Sequence, residues 1–245
     1  MQILTVSVIK GGTGKTTTAA AIAQAGAKDG KRVLAIDLDP QANLTFSLGA
    51  DQNAPGSYDL IAGGDPAQLV QHTPQGVDTI AASPDLATLT TRAGSARHLQ
   101  NALEPLKGGY DLIVIDTPPT MGEMTYNALQ ASTGLVIPLE TDSNSLQGLF
   151  QIVDIAHQMQ RSNPLLTIKG ALLTRYDPRP KLNRFLRDTI ADKAAEMGTP
   201  YLGEIRSGIA VREAQAMQQS LFDYAPGSKP AQDYKALYQI LTKEG

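Results

Sequence analysis

The chain has 245 residues, 42% of them hydrophobic, with no cysteine and a formal net charge of −3. The apolar share is enough for a packed core and excludes a disordered chain, and the lack of cysteine excludes a disulfide framework, thiolate zinc sites and cysteine-held iron–sulfur clusters. The slightly negative balance excludes a globally basic nucleic-acid binder, so any DNA contact has to come from a local patch.

The chain opens on an apolar run, Ile3–Ile9, which reads as a buried strand. It lacks the charged start and small-residue cleavage site of a signal peptide, and no later run has the length of a membrane span. A cytoplasmic protein with no membrane contact is expected. Thr16–Asp29, rich in alanine and stopped at Gly30, reads as a helix, and Arg32–Asp37 as a second strand. Gly49–Pro74 is rich in Gly, Pro, Asp and Gln and reads as surface loops within one domain. Val77–Ala81 is a weaker strand, Ala96–Leu106 a helix, and Asp111–Asp116 a strand with a β-branched centre. Gly134–Leu139 and Thr167–Thr174 are further strands. Between them Ser145–Gln160 places Leu146, Leu149, Ile152, Val153 and Ala156 on one helix face. Pro180–Met197 is a helix with Gly198 just past its end, Tyr201–Ile205 a last strand, and Lys229–Lys243 a terminal helix. Continuous apolar strands separated by helices predict one α/β domain over residues 1–245, with a mostly parallel twisted sheet covered on both faces.

The segment Lys10-Gly11-Gly12-Thr13-Gly14-Lys15-Thr16-Thr17 follows a predicted strand and opens a predicted helix, the context of a P-loop. Glycines let the backbone turn several N–H groups towards phosphate oxygens, and the helix adds the positive end of its dipole. Lys15 supplies a charge for the β- and γ-phosphates, the Thr16 hydroxyl a magnesium ligand, and Thr17 a hydrogen bond to the α-phosphate. The common pattern would place glycine at position 9, where Ile9 stands, and Lys10 sits beside the glycines instead. Asp116 ends a buried strand at the edge where magnesium would lie. Asp37 and Asp39 follow the second strand; as residues alone they fit either a water-holding pair or carboxylates before a turn.

KGGxGK[ST] resembles the deviant Walker A motif of the ParA/MinD class of P-loop NTPases, and the match is complete. Asp37-Leu38-Asp39-Pro40-Gln41 resembles that family's DxDPQ element and Asp116-Thr117-Pro118-Pro119 its DxPP element. Asn127-Ala128-Leu129, Val136-Ile137-Pro138, Leu146-Gln147-Gly148-Leu149, the stretch from Leu173 to Arg179, and Tyr224 to Lys229 extend the likeness to ParA and Soj proteins, from Ile3 to about Leu241. The chain starts two residues before its first strand, like the short members without an N-terminal helix-turn-helix domain.

The resemblance implies a partitioning ATPase that uses ATP and Mg2+, forms a homodimer in the ATP state, binds double-stranded DNA without sequence preference on the nucleoid, and is stimulated by a ParB-type adaptor. Lys10, Lys15 and Asp39 are then the catalytic set. Asp39 orients the attacking water, and Asp37 joins Thr16 and Asp116 in the magnesium network. Lys10 either reaches the partner's nucleotide or contacts its own phosphates. The adenine wall falls at Thr174, Arg175, Arg206 and Gly208.

Between Lys169 and Arg187 six basic residues face one acid, Asp177. Arg179, Lys181, Arg184, Arg206, Arg212 and Lys229 form the expected DNA set; on charge alone they fit a solvated face equally well. A further DNA-binding position of Soj-like members falls at Ala210, which moves that contact to Arg206 or Arg212 or removes it. The alternative is a MinD-like or protein-cargo-positioning ATPase, although Asp233–Gly245 has balanced charges and reads as a packed helix rather than a membrane anchor. An amidoligase-like enzyme would share the fold, but no feature of the sequence names its substrate.

Overall fold

The computed structural model describes residues 1–89 and 97–243. Eight strands, β1 Gln2–Val6, β2 Val33–Asp37, β3 Gln71–His72, β4 Asp78–Ile80, β5 Leu112–Asp116, β6 Gly134–Leu139, β7 Thr167–Tyr176 and β8 Tyr201–Arg206, form one sheet in the order β3-β4-β2-β5-β1-β6-β7-β8. All neighbours pair in parallel except β3 with β4 at one edge. The helices among the described residues are α1 Lys15–Lys28, α2 Asn43–Leu48, α3 Ser57–Ile61, α4 Pro66–Leu69, α5 His98–Leu103, α6 Glu123–Ala131, α7 Ser143–Met159, α8 Lys181–Glu196, α9 Ile209–Ala216, α10 Leu221–Tyr224 and α11 Lys229–Thr242.

Strand alternation sorts the core into two faces. Leu4, Val6, Val33, Ala35, Leu112 and Val114 pack against the alanine-rich α1 and against Tyr234, Leu237 and Tyr238 of α11. Ile3, Leu34, Ile36, Ile113 and Ile115 pack on the opposite face with Leu99, Leu103 and Ala128. A third cluster joins Leu135, Ile137 and Leu139 to Leu149, Ile152 and Val153 of α7. Each central strand is thus buried on both sides, which explains why its sequence is continuously apolar rather than alternating. The terminal helix is packed by Tyr234, Leu237, Tyr238 and Leu241, as its balanced charge predicted.

Several boundaries differ from expectation. The first strand stops at Val6 rather than Ile9, because the chain leaves the sheet there to build the phosphate-type loop. The stretch Gly49–Pro74, read as loops, holds α3, α4 and the first residues of an edge hairpin. Its helices are short and locally encoded: Asp59 accepts the Gly56 N–H, and Asp65 caps a helix that starts at Pro66. Helices α2, α6, α9 and α10 have no counterpart in the sequence reading. The predicted helix Ala96–Leu106 appears as α5 plus a 3-10 turn at Glu104–Leu106, and its first residue lies outside the described residues.

Helix α1 lies against the sheet through Gly26, where a Cβ would meet Val33 Cγ2 at 3.0 Å and Leu112 Cδ2 at 3.1 Å. Gly26→Val is therefore expected to cost about 1–3 kcal/mol by overpacking, read as a lower urea midpoint. An unchanged midpoint would mean that α1 can lift from the sheet without penalty.

Candidate nucleotide site

Strand register brings the acidic residues together. In the parallel pairing Val6 lies opposite Asp116, and Asp116 opposite Asp37, so three adjacent strands end side by side. The chain after β1 then wraps across this edge. Lys10 N–H donates to Val8 O at 2.9 Å, and Gly12 and Gly14 take φ of 78° and 79°, a left-handed backbone that glycine adopts without strain. Helix α1 starts immediately after, at Lys15, so its unpaired N–H groups and positive dipole end face the loop.

The charged groups inside are tightly constrained. Lys15 is buried, and its Nζ donates to Lys10 O at 2.8 Å. Burial pulls its ammonium below the ordinary value, and Asp116 and Asp39 pull it back up. Thr16 Oγ1 donates to Asp116 Oδ2 at 2.6 Å. Asp116 is fully buried; desolvation first, then the neighbouring Asp37, pushes its carboxyl well above the usual range. Burial also raises Asp37 to about 6, against hydrogen bonds from Thr45 and Asp39 that lower it. Asp37 accepts from Asp39 N, Thr45 N and Thr45 Oγ1 at 2.8–3.0 Å, so its oxygens chiefly hold the turn and α2 in place. Asp39 accepts the Gln41 N–H at 3.0 Å and borders the loop cleft.

Two connected cavities complete the site. One of about 480 Å³ lies over the loop from Gly11 to Thr17 and reaches Asp39 and Pro119. The other, about 690 Å³, shares Gly14, Thr17, Arg175 and Gln215 with it and runs out past Thr174, Arg206 and Gly208. The positions expected for the base therefore do line a cavity that adjoins the loop. Thr174 is placed there by its hydroxyl, which donates to Thr13 O at 2.8 Å. Among the described residues no group of three or more His, Cys, Asp or Glu is gathered to hold a metal ion, so a cation here would need oxygens from phosphate or water, as magnesium commonly does.

Lys10 is engaged within its own chain: Nζ pairs with Asp142, the N-cap of α7, and donates to Ser145 Oγ at 3.3 Å. The expected DNA set divides in two. Arg179, Lys181 and Arg184 form an exposed corner at the start of α8, where Arg179 forks onto Asp177 and Arg184 donates to Pro178 O and Arg179 O. Arg206, Arg212 and Lys229 line the outer cavity, which Arg179 also borders, and Arg206 is tied to Asp233 of α11 at 2.6 Å. Sequence reasoning missed Asp142, Ser145 and Gln215, whose partners lie far away in the chain, and Thr45, which meets Asp37 from eight positions on and belongs to no motif itself.

A family model described as an AAA domain matches residues 1–168. The chain is 35% identical over 231 residues to the chromosome-partitioning ATPase Soj of Thermus thermophilus, covering 93% of this chain and 90% of that one. It is 33% identical over 257 residues to the chromosome partitioning protein ParA of Caulobacter vibrioides, covering 100% and 95%. Its structure resembles that of cobyrinic acid a,c-diamide synthase from Mycobacterium smegmatis with bound ATP analogue and magnesium, with a TM-score of 0.82 at 33% identity over 96% of this chain and 91% of that one.

The raised Asp116 carboxyl has a consequence for stability. Above the ordinary carboxylate range the unfolded chain has released a proton that the folded chain still holds, so stability falls as pH rises. Asp116→Asn keeps an acceptor for Thr16 and cannot ionise. Without ligands it is expected to melt higher than the parent at pH 8, with the gap closing towards pH 4. A lower melting point at pH 8 would show the buried carboxylate to be fully compensated.

Proposed function

The chain belongs to the ParA/Soj family of P-loop ATPases, and from that premise we propose that it is a nucleotide-gated partitioning switch. It binds ATP with magnesium, pairs with a second copy while ATP is bound, holds duplex DNA without sequence preference in that state, and lets go after hydrolysis. The observation that carries this reading is the convergence of Lys15, Thr16, Asp39 and Asp116 on one cleft at the N-terminus of α1.

The residues present fit the ligands. Lys15 is a buried cation whose acceptor in the chain is a loop carbonyl, a contact that phosphate oxygens would replace. Thr13 Oγ1 is buried in the loop and has no hydrogen-bond partner among the described residues. Thr16 and Asp116, with Asp37 beside them, would hold magnesium, which neutralises charge on the phosphate oxygens. The loop N–H groups bind phosphate, and Asp39 accepts a hydrogen bond from the attacking water and holds it in line. Lys10, released from Asp142, is the lysine offered to the nucleotide of the second copy.

DNA phosphates are met by Arg179, Lys181 and Arg184, with Arg212 and Lys229 at the cavity rim, and dimerisation doubles the set. Loss of the γ-phosphate removes what ties the two copies together. A ParB-type adaptor accelerates that step, and the protein works in the cytoplasm on the nucleoid. The similarity to the diamide synthase supports an ATP-dependent enzyme on the same fold as a second reading; such an enzyme would turn over ATP without holding DNA.

Lys15→Ala is expected to abolish ATP binding in a calorimetric titration, and retained affinity would remove the loop from the nucleotide site. The central test is duplex DNA binding by Asp39→Ala with ATP, with ADP and with neither, across a salt series. Binding only with ATP, weakening steeply with salt, is expected. If that variant forms the ATP dimer yet binds no DNA in any state, the cargo is a protein or a small molecule and the DNA reading fails.

A further inference from the structure

Three successive threonines open α1, and each hydroxyl has a different partner. Thr16 donates to Asp116 Oδ2 at 2.6 Å, Thr18 lies 3.3 Å from the Tyr234 hydroxyl, and Thr17 accepts from Gln215 Nε2 at 3.0 Å. A hydroxyl has one proton and two acceptor sites, so the nature of its partner decides what it can still offer. The proton of Thr16 goes to a carboxylate oxygen, which leaves lone pairs for a cation. Thr17 is the reverse. An amide N–H occupies its oxygen, and among the described residues its own proton has no acceptor. That proton is left for an anion.

Gln215 is mounted to hold this arrangement. It lines both cavities beside Gly14 and Thr17. The end of its helix, α9, is fixed on α2: Gln218 Nε2 donates to Phe46 O at 3.1 Å, and Gln75 Nε2 donates to Gln218 O at 2.9 Å and to Ser47 O at 2.8 Å. Gln218 takes a left-handed φ of 51° to end the helix there. An amide held from a separate element needs little reordering when a ligand arrives.

We propose that Gln215 is a positioning residue for the nucleotide, setting the polarity of the Thr17 hydroxyl so that it donates to a phosphate oxygen. This rests on the nucleotide reading of the same site and adds to it a residue from the C-terminal third of the chain. The contact spans 198 positions in sequence.

A double-mutant cycle with ADP and magnesium tests it, using calorimetry on the full chain. Gln215→Leu is expected to weaken ADP binding roughly three- to tenfold, the size of one net hydrogen bond. In a Thr17→Val background the same change is expected to have less than about a twofold effect, because the hydroxyl it orients is gone. Gln215→Glu keeps the size but can only accept. It is expected to bind ADP more weakly than Gln215→Leu, and its penalty in the Thr17→Val background isolates the effect of charge alone. Equal losses from Gln215→Leu in both backgrounds, or no loss in either, would overturn the assignment. So would parent-like affinity in Gln215→Glu, even if Gln215→Leu failed to fold. Failure of the parent itself to bind ADP would overturn the nucleotide reading, and this inference with it.

Discussion

Two fully buried carboxylates face each other on adjacent parallel strands, and the rest of the site answers to that repulsion. The Asp37–Asp116 pairing is fixed by the register of β2 and β5, so neither side chain can retreat without shifting a central strand. Desolvation drives both towards the protonated form. Around them the chain supplies what it can: the Lys15 ammonium, the Thr16 hydroxyl and the Thr45 and Asp39 donors. A cation held beside this pair would remove a penalty already present in the folded chain and would add to stability by linkage.

Helix α1 transmits this edge to the rest of the molecule. Its first turn meets the loop, its alanine face lies on the central strands, and its far side carries the C-terminal helices. Thr18 meets Tyr234, and Lys28 and Asp29 meet Asp223 and Tyr238. The family model ends at residue 168, yet Thr174, Gln215 and Tyr234 beyond it all touch the loop or the start of α1. The C-terminal third therefore packs onto the loop and the start of α1 rather than standing apart from them.

The basic residues give a more restrained picture than their count. Arg175, Arg179, Arg187 and Arg206 each face an acid of the same chain: Glu140, Asp177, Asp188 and Asp233. Exposed pairs of this kind are weak and exchange readily for phosphate. The half-buried Arg206–Asp233 fork, which also takes the Arg206 N–H, is a brace between β8 and α11. Lys181, Arg212 and Lys229 make no ion pair among the described residues and present their charge outward.

The P-loop was legible in the sequence because its chemistry is local: glycines, lysine and threonines act within eight consecutive positions, between an apolar strand and an alanine-rich helix. Asp37 and Asp116 were legible because each ends a continuous apolar run, and such runs mark strands buried on both faces. Short helices such as α2 and α9 were not, since a few residues carry too little periodicity to signal a helix. The partners of Lys10 and Thr17 were hidden for a different reason: Asp142 lies 132 positions from Lys10, and Gln215 lies 198 from Thr17. The sequence determined which groups could bind phosphate and on which strand ends they would stand. Strand order and helix packing alone decided which of them touch, because hydrogen bonds of 3 Å between distant segments depend on where the whole sheet carries each one.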